Sequence, residues 1–598
     1  MPDCRFEIAP CPDAEVRALC RELGISPAMA QILVRRGHGD PTTAREFLAA
    51  REEHPPTGFE GIDEAVAEIL AHLGRGERIT IHGDYDVDGI CSTAIFVGAL
   101  RELGADVDSY LPDRAGDGYG LAAATVQRLA ARGTRLLVTA DCAITAVEEV
   151  ALARELGLAV VVTDHHSPRA DGRLPDAPIV HPALRGYPCA ELCATGVAYK
   201  LAQAVFAAAG RDPRELERDL DLVALATIAD LVPLRGENRT LVRRGLRALA
   251  VTAKPGLRAL MAVAGVDAAR VNERSVGFAL APRLNAAGRL YRADAGLELI
   301  LTSDEARARQ IATELDSANR ERREVEMRIR FQAEAQMDAI GERAAYVLAG
   351  EGWHAGVIGI VASRLVERSG RPVVMIALDG DTGRGSGRSI DAFDLLAGLT
   401  ACSEHLIGHG GHRAAAGLEI ERGRVQEFAA AFDAHAEQAL SGVEMLDVER
   451  VDAVVACGEL GMSLAEELES LAPFGRGNPG VALMVADARF ADARPMGEGK
   501  HVRFTVESGG ARARAVAFGN GGRLPVPDGE AAQATFSLEV NEWNGVSEPR
   551  LILRRARALE APDPVPPAQT APTAAEAVPT APAPADAQAQ ELVLFALP

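Results

Sequence analysis

The sequence predicts an α/β protein with two α/β units, the first on a parallel sheet, joined by one long helix and followed by a small β-barrel. Three observations carry this. Between residues 78 and 163, short β-branched runs alternate with helical stretches of about ten to fifteen residues, the pattern of βαβ units covered on both faces. The segment from Ser303 to about Ile340 contains neither Gly nor Pro. Beyond residue 450, short β-rich segments sit among Gly-rich turns, as in a small barrel. A chain of 598 residues has room for several domains of ~100–200 residues each.

In chain order, residues 1–45 read as an acidic helical lead-in that breaks at Gly37-His38-Gly39-Asp40-Pro41. The first α/β domain spans 46–302. Within it, strands are expected near 78–82, 105–111, 135–140 and 158–163, and helices near 90–103, 121–132 and 145–156. Residues 303–340 carry apolar side chains at Ile311, Leu315, Ala318, Val325 and Ile329, which describes one amphipathic helix roughly 55 Å long at ~1.5 Å per residue. The second, smaller α/β domain, 341–445, is expected to place strands 345–349 and 373–378 around a helix near 356–368. The barrel, 446–560, draws on strands near 503–507, 513–518, 534–540 and 550–553. Residues 561–598 form a Pro- and Ala-rich tail, with eight prolines before 590, expected to be disordered and ending in an apolar tip at 591–598.

Charge bounds the partners. Lys plus Arg total 63 against 85 Asp plus Glu, a net charge of -22, which argues against a nucleic-acid binder held by bulk positive charge. A local basic channel is still compatible with it. Only Lys200, Lys254 and Lys500 are lysines, so nearly every cation is a guanidinium, suited to bidentate phosphate contacts; a G+C-rich genome accounts for the same bias. No basic start leads into an apolar run, and no stretch of about eighteen apolar residues occurs, so a cytoplasmic protein without membrane spans is expected. The nine cysteines form no C-x-x-C pair and read as reduced thiols.

Acidic residues crowd three strand exits: His82-Gly83-Asp84-Tyr85-Asp86-Val87-Asp88-Gly89, then Asp141, then Asp164-His165-His166. In a parallel sheet such carboxyl ends converge on one crevice. A lone Asp after a strand is usually a cap or turn former. Several carboxylates beside a His-His step are different, because they repel one another unless a cation neutralises them. Oxygen-rich ligands with one or two imidazoles favour Mn²⁺ or Mg²⁺ over Zn²⁺.

These words, with Ala226-Thr-Ile-Ala-Asp230-Leu-Val-Pro233, resemble the four motifs of the DHH phosphoesterase superfamily. The resemblance implies two divalent ions: one held by the first-motif region and Asp141, the other by Asp88, Asp141, His165 and Asp230. Asp86, Asp88, Asp141, His165, His166 and Asp230 would be catalytic, with His166 facing the phosphate. Whether His82 or Asp84 completes the first site stays open.

Over about residues 40–560 the chain is similar to the RecJ family within that superfamily. The words that carry it are Gly83 to Gly89, Asp117-Gly-Tyr119-Gly-Leu121, Pro282 to Arg289, Leu315 to Arg320, Trp353 to Gly359, Gly385-Ser-Gly-Arg388 and Gly408 to Gly417. The family's architecture is a DHH domain, a DHH-associated domain and an OB-fold barrel. Its activity is 5′ to 3′ hydrolysis of single-stranded DNA to 5′ mononucleotides in DNA repair and recombination. By the resemblance, Arg114, Ser386 and Arg388 would capture a 5′ phosphate and Arg289 the next phosphates. Tyr119, Asn319, Arg320, His354, His409, Gly410, Gly411 and His412 would complete the substrate path. Glycines at 408, 410 and 411 would let backbone N–H groups approach a phosphate. In the barrel, Phe474, Phe504, Phe518 and Trp543 are available for base stacking, although core packing accounts for such rings as readily. The family also implies a RecQ-type helicase and single-strand DNA-binding protein as partners, activity at the nucleoid, and a monomer. The nearest alternative is a small-substrate phosphodiesterase acting on nanoRNA or cyclic dinucleotides, for which the barrel has no obvious use. A non-catalytic DNA-binding scaffold is a further alternative, but every expected ligand position is filled.

Overall fold

Strand Ile79–His82 is buried along its whole length and lies inside a five-stranded sheet. The order is Val107–Tyr110, Ile79–His82, Leu136–Thr139, Ala159–Thr163 and Ile179–Val180, and every pair is parallel. Alternate side chains feed two cores. Ile79, Ile81, Val138 and Val161 pack with helices Val87–Glu102, Ala194–Ala208 and Leu220–Ala229, while Leu137, Val160 and Val162 pack with Val126, Leu129 and Val150. Burial on both faces is what turns these strands into near-continuous apolar runs. The computed structural model describes residues 4–112, 120–290, 294–443, 447–543 and 546–559. The tail predicted at 561–598 lies outside them.

The connecting helix is Glu305–Ile340, 36 residues or roughly 54 Å at ~1.5 Å per residue. Asp304 caps it, accepting from Ala306 N at 2.7 Å and Arg307 N at 3.2 Å. Its first half puts Ala308, Ile311, Ala312 and Leu315 into the core of the parallel-sheet domain. Its second half puts Ile329, Ala333 and Met337 against Tyr346, Leu348 and Val357 of the next domain. One rigid rod therefore fixes both α/β units.

The second sheet runs Gly408–Gly411, Ala415–Glu421, Thr382–Arg388, Val373–Asp379, Tyr346–Glu351, with only the last pair parallel. The barrel closes through Leu483–Met496, His501–Ser508, Ala511–Ala517, Val546–Ala558 and Ala531–Trp543, the last pairing back to the first.

The amino-terminal stretch reads in sequence as a helical lead-in, yet it is built into the barrel. Cys4–Glu7 pairs in parallel with Asp447–Arg450, and Leu19, Met29, Ile32 and Leu33 share a core with Leu483, Phe490 and Phe536. Among the described residues, no helix is long and apolar enough to cross a membrane.

Candidate metal centre and substrate cleft

The acidic cluster forms at the carboxyl ends of the central strands. After Ile79–His82 the chain turns through 83–86 and enters helix Val87–Glu102, whose cap is Asp86; its carboxylate accepts from Asp88 N at 2.9 Å and Gly89 N at 3.1 Å. Gly89 permits this turn, because a Cβ there would stand 2.5 Å from the backbone of Asp84. Asp88, buried, takes Ala194 N at 2.8 Å, Thr195 N at 2.7 Å and the Thr195 hydroxyl at 2.5 Å, so it also caps helix Ala194–Ala208. Asp141 leaves the next strand with a φ of 69°, a left-handed conformation that a non-glycine residue rarely adopts without a functional reason. Asp230 ends helix Leu220–Ala229.

His165 joins them. Its Nε2 lies 3.3 Å from Asp141 Oδ1, 3.7 Å from Asp88 Oδ2 and 3.7 Å from Asp230 Oδ2. Asp141 Oδ1 and His165 Nε2 are buried and neither makes a hydrogen bond. Buried ligand atoms that converge without hydrogen-bond partners are what a cation site requires. Three sets of ligand atoms converge within 4.8 Å: Asp84, Asp86 and Asp141; Asp88, His165 and Asp230; Asp141, His165 and His166. His82 belongs to none of these sets. It is fully buried with Nδ1 3.5 Å from Cys142 Sγ, at the strand exit but turned to the protein interior.

The electrostatics agree. Burial, then the charges of Asp88, Asp86 and Asp84, pushes the Asp141 carboxyl well above its usual range. Burial and Asp88 raise Asp86, and burial with Asp88 and Asp86 pushes Asp230 up to about 8. Carboxyls so destabilised as anions are what a divalent cation would relieve. Asp164 plays another part. One oxygen accepts from Ile144 N at 2.9 Å, the other from His165 N, His166 N and His166 Nδ1 at 2.8, 3.1 and 2.8 Å. Burial alone would lower the His166 imidazole, but the Asp164 bond and charge, with Asp230 and Asp88, raise it to about 9.

A cleft of about 1580 Å³ opens beside this cluster, between the two α/β domains, and His166 lines it. The opposite wall is the glycine-rich sheet. Gly417 stands opposite both Ser386 and Gly410, and Ala415 opposite Arg388, so Ser386, Gly417 and Gly410 make one row across three strands. Arg388 donates to Ser386 Oγ at 3.1 Å and to Gly387 O at 2.8 Å. His354 lines the cleft and accepts from Gly356 N at 3.1 Å, capping helix Ala355–Ser369; His409, Gly411 and His412 also line it, and His409 Nε2 meets Thr400 Oγ1 at 3.1 Å.

Other predicted residues sit elsewhere. Asn319 is fully buried in the connecting helix, accepting from Arg322 at 2.5 Å, and Arg320 pairs with Asp316 on the same helix; neither lines the cleft. Arg114 and Tyr119 lie outside the described residues, as do the side chains of Arg289 and Trp543. Phe504 is a core ring packed edge-on against Phe490, Phe474 is half-buried, and Phe518 is exposed. Residues not singled out in sequence are Thr195, which holds Asp88, and Asn285, whose Oδ1 accepts from Val87 N at 3.0 Å. Asn285 falls inside the Pro282 to Arg289 word, the one signal that pointed to it.

Three family models match the chain: the DHH family, N-terminal domain, over 78–227; the DHHA1 domain over 341–438; and the RecJ OB domain over 451–555. The single-stranded-DNA-specific exonuclease RecJ of Bacillus subtilis is 37% identical over 567 residues, 93% of this chain and 71% of its own. That of Thermus thermophilus is 35% identical over 92% of this chain and 78% of its own. The crystal structure of Thermus thermophilus RecJ in complex with Mn²⁺ superposes with a TM-score of 0.81 at 32% identity, covering 93% of this chain and 80% of that one.

Proposed function

The chain belongs to the RecJ family of single-stranded-DNA-specific exonucleases, and we propose that it hydrolyses single-stranded DNA from the 5′ end, releasing 5′ mononucleotides. The observation that supports this best is that an acidic cluster with orphaned ligand atoms and a glycine-floored wall bearing Ser386 and Arg388 share one cleft. Thermus thermophilus RecJ is known in complex with Mn²⁺ and with Mg²⁺, and the donor set here fits either ion.

Asp84, Asp86 and Asp141 would hold one ion, and Asp88, Asp141, His165 and Asp230 a second, with Asp141 shared. The grouping favours Asp84 over His82. When bound, the ions supply Lewis acidity and a way to activate water near neutral pH. The chain's own residues do the rest. Thr195 and the amides of 194 and 195 fix the Asp88 carboxylate. Asp164 holds His166 through Nδ1, so Nε2 is the atom the ring presents to a phosphate in the cleft. Ser386 Oγ and the Arg388 guanidinium would take the terminal 5′ phosphate, and the amides of Gly410 and Gly411 with His409 and His412 would surround it. A pocket for that terminal group sets polarity. Arg114, Tyr119 and Arg289 are assigned to the strand by family likeness. A role in DNA repair and recombination, in the cytoplasm at the nucleoid, follows from the same likeness, as do a RecQ-type helicase and single-strand DNA-binding protein as partners and action as a monomer.

The test is digestion of 5′-phosphorylated and 5′-hydroxyl single strands, duplex DNA, RNA and cyclic dinucleotide with Mn²⁺. Mononucleotides released from the 5′ end of single strands, and loss of that activity in Asp141→Ala and His165→Ala, are expected. Release from the 3′ end, or unchanged activity in both variants, would overturn the reading.

A further inference from the structure

Three phenylalanines are exposed among the described residues, Phe278, Phe331 and Phe518, and Phe278 belongs to no core and no part of the cleft wall. Phe278 is 70% exposed and sits in the middle of a π-helical turn, Val276–Leu280, between the short helix Glu273–Ser275 and helix Ala281–Leu290. Such turns are rare and concentrate at functional sites, because the extra residue pushes a side chain out of helical phase. Here the neighbours on either side, Val276 and Leu280, are buried, and Phe278 is the one displaced outward.

Its position connects the metal centre with the barrel. On one side, Gly277 faces Ile228, where a Cβ would stand 3.6 Å from Ile228 Cγ2, two residues before Asp230. Leu231, directly after Asp230, is 66% exposed with a φ of 57°, a second apolar residue held outward at the same helix end. Along the helix, Pro282, Asn285 and Gly288 are unburied among the described positions; Asn285 binds Val87 N between the first-motif carboxylates, and Gly288 lines the cleft. From Phe278 to Asn285 is roughly 10 Å at ~1.5 Å per residue. On the other side lies the barrel: Glu273 accepts from the Phe474 amide, Leu234 N donates to Arg476 O at 2.7 Å, and Arg270 pairs with Glu542 at 2.7 Å.

We propose that Phe278 is a base-stacking platform for the incoming single strand, placed where the strand passes from the barrel to the metal centre. The inference rests on the exonuclease reading above and adds a substrate contact to it. A phenyl face is sequence-tolerant, as an exonuclease that steps through every base requires. A base in duplex has both faces covered by its neighbours, so the same ring favours an unpaired strand. The continuity of the Phe278 helix face with Asn285 and Gly288 points to a nucleobase rather than to a protein side chain as the occupant.

The test is equilibrium binding of 3′-labelled, 5′-phosphorylated single strands in EDTA, with one abasic site moved stepwise from the 5′ end. The wild-type chain should lose roughly 5- to 100-fold in affinity when the missing base falls at one position a few nucleotides from the end. Phe278→Ala should bind the intact strand with that same loss and be indifferent to the abasic site there, while Phe278→Trp restores both. Unchanged affinity in Phe278→Ala, or an abasic profile identical to wild type, would overturn the proposal. A misfolded variant is recognised by Phe278→Trp failing as well with altered circular dichroism, in which case Phe278→Leu carries the same abasic comparison. Failure of the exonuclease reading looks different: the wild-type chain itself then shows no binding to single strands, and both fall, whereas digestion from the 3′ end alone leaves the abasic profile to decide about Phe278.

Discussion

Replacing Arg239 by Met should loosen the junction that seats the barrel beside the metal centre. Arg239 is 2% exposed, and no carboxylate lies within ion-pair distance of it among the described residues. Its guanidinium stacks 4.2 Å over Phe47 and donates to the carbonyls of Phe47, Leu471, Ser470 and Pro473 at 3.3, 2.7, 3.3 and 3.5 Å. Hydrogen bonds from a charged donor are worth about 1.5–3 kcal/mol each. Two of the four acceptors keep a second donor, since Asn478 Nδ2 reaches Leu471 O at 2.9 Å and Pro473 O at 2.7 Å. Counting the other two at full weight gives a loss of about 3–6 kcal/mol. Removing a desolvated cation works the other way. Burial, with Arg243 and Arg36 nearby, pushes the Arg239 pKa down to about 10, which marks an unfavourable contribution of about 3 kcal/mol that Met would relieve. Against the middle of that range the difference is about 1.5 kcal/mol, and it is a local effect, because a chain with several cores does not unfold in one step. It should appear as roughly 5- to 100-fold faster amide exchange over 470–478 and 41–49, with the parallel sheet unchanged. Activity should fall with it, because the same loop holds residues 234 and 235 through Arg476 O and Gly477 O, next to Asp230. Exchange rates within twofold of wild type would refute the reasoning, and equal acceleration in the parallel sheet would show that Arg239 acts globally.

Thr195→Val removes the hydroxyl on Asp88 and leaves both amide bonds in place, so Mn²⁺ affinity measured by titration calorimetry should weaken about tenfold with the fold intact. Gly359→Ala would place a Cβ 2.8 Å from Ser386 Oγ and 3.0 Å from the Arg388 guanidinium; displaced by a few tenths of an ångström, they should raise KM for 5′-phosphorylated strands by about tenfold and leave 5′-hydroxyl strands little changed. His38, stacked on Phe47 at 4.4 Å, has its pKa lowered by burial, Arg239 and Arg36. The unfolded segment then binds more protons than the folded one below about pH 6.5, so protection of Pro41–Ala49 from exchange should fall as pH drops through that value, and less so in His38→Gln.

What could be read from the sequence is what local pattern encodes. The parallel strands announce themselves because burial on two faces demands runs such as Leu-Leu-Val-Thr, and the connecting helix because 36 residues pass without Gly or Pro behind an Asp cap. Asp84, Asp86, Asp88 and Asp141 are visible because they crowd the exits of two strands, whereas Asp230, at a helix end, is reached only through a family motif. Contacts made across long separations were not visible. Cys4–Glu7 finds its partner some 440 positions on, and Asp88 finds Thr195 at a separation of 107. Strand Leu483–Met496 escaped because its pairing shifts register between Ala491 and Arg494, which breaks the alternation that marks a strand, and because Pro495, which reads as a strand breaker, sits inside it. The left-handed turn at Asp141 was not visible because contacts with other strands help hold it, Ala140 N donating to His82 O and Asp141 N to Thr163 O.

The acidic balance of the chain takes on a different meaning once the charges are placed. A net -22 would repel DNA if it were spread evenly. Five carboxylates, those of Asp84, Asp86, Asp88, Asp141 and Asp230, instead gather at the carboxyl edge of the parallel sheet, where they are a demand for divalent cations. In the cleft the cations are partly engaged: Arg169 with Glu148 and Asp171, Arg384 with Glu419. A phosphate entering there exchanges a carboxylate partner for its own charge, which contributes little, whereas two of the Arg388 bonds go to the Ser386 hydroxyl and the Gly387 carbonyl, neutral acceptors that a phosphate outcompetes. On the proposed assignment the strongest phosphate contact would lie at the end of the path, with near-neutral contacts, a phenyl face and glycine amides, along the approach to it. Such a surface would grip a terminus tightly and the body of the strand loosely, the combination a stepwise exonuclease needs if it is to advance after every cut.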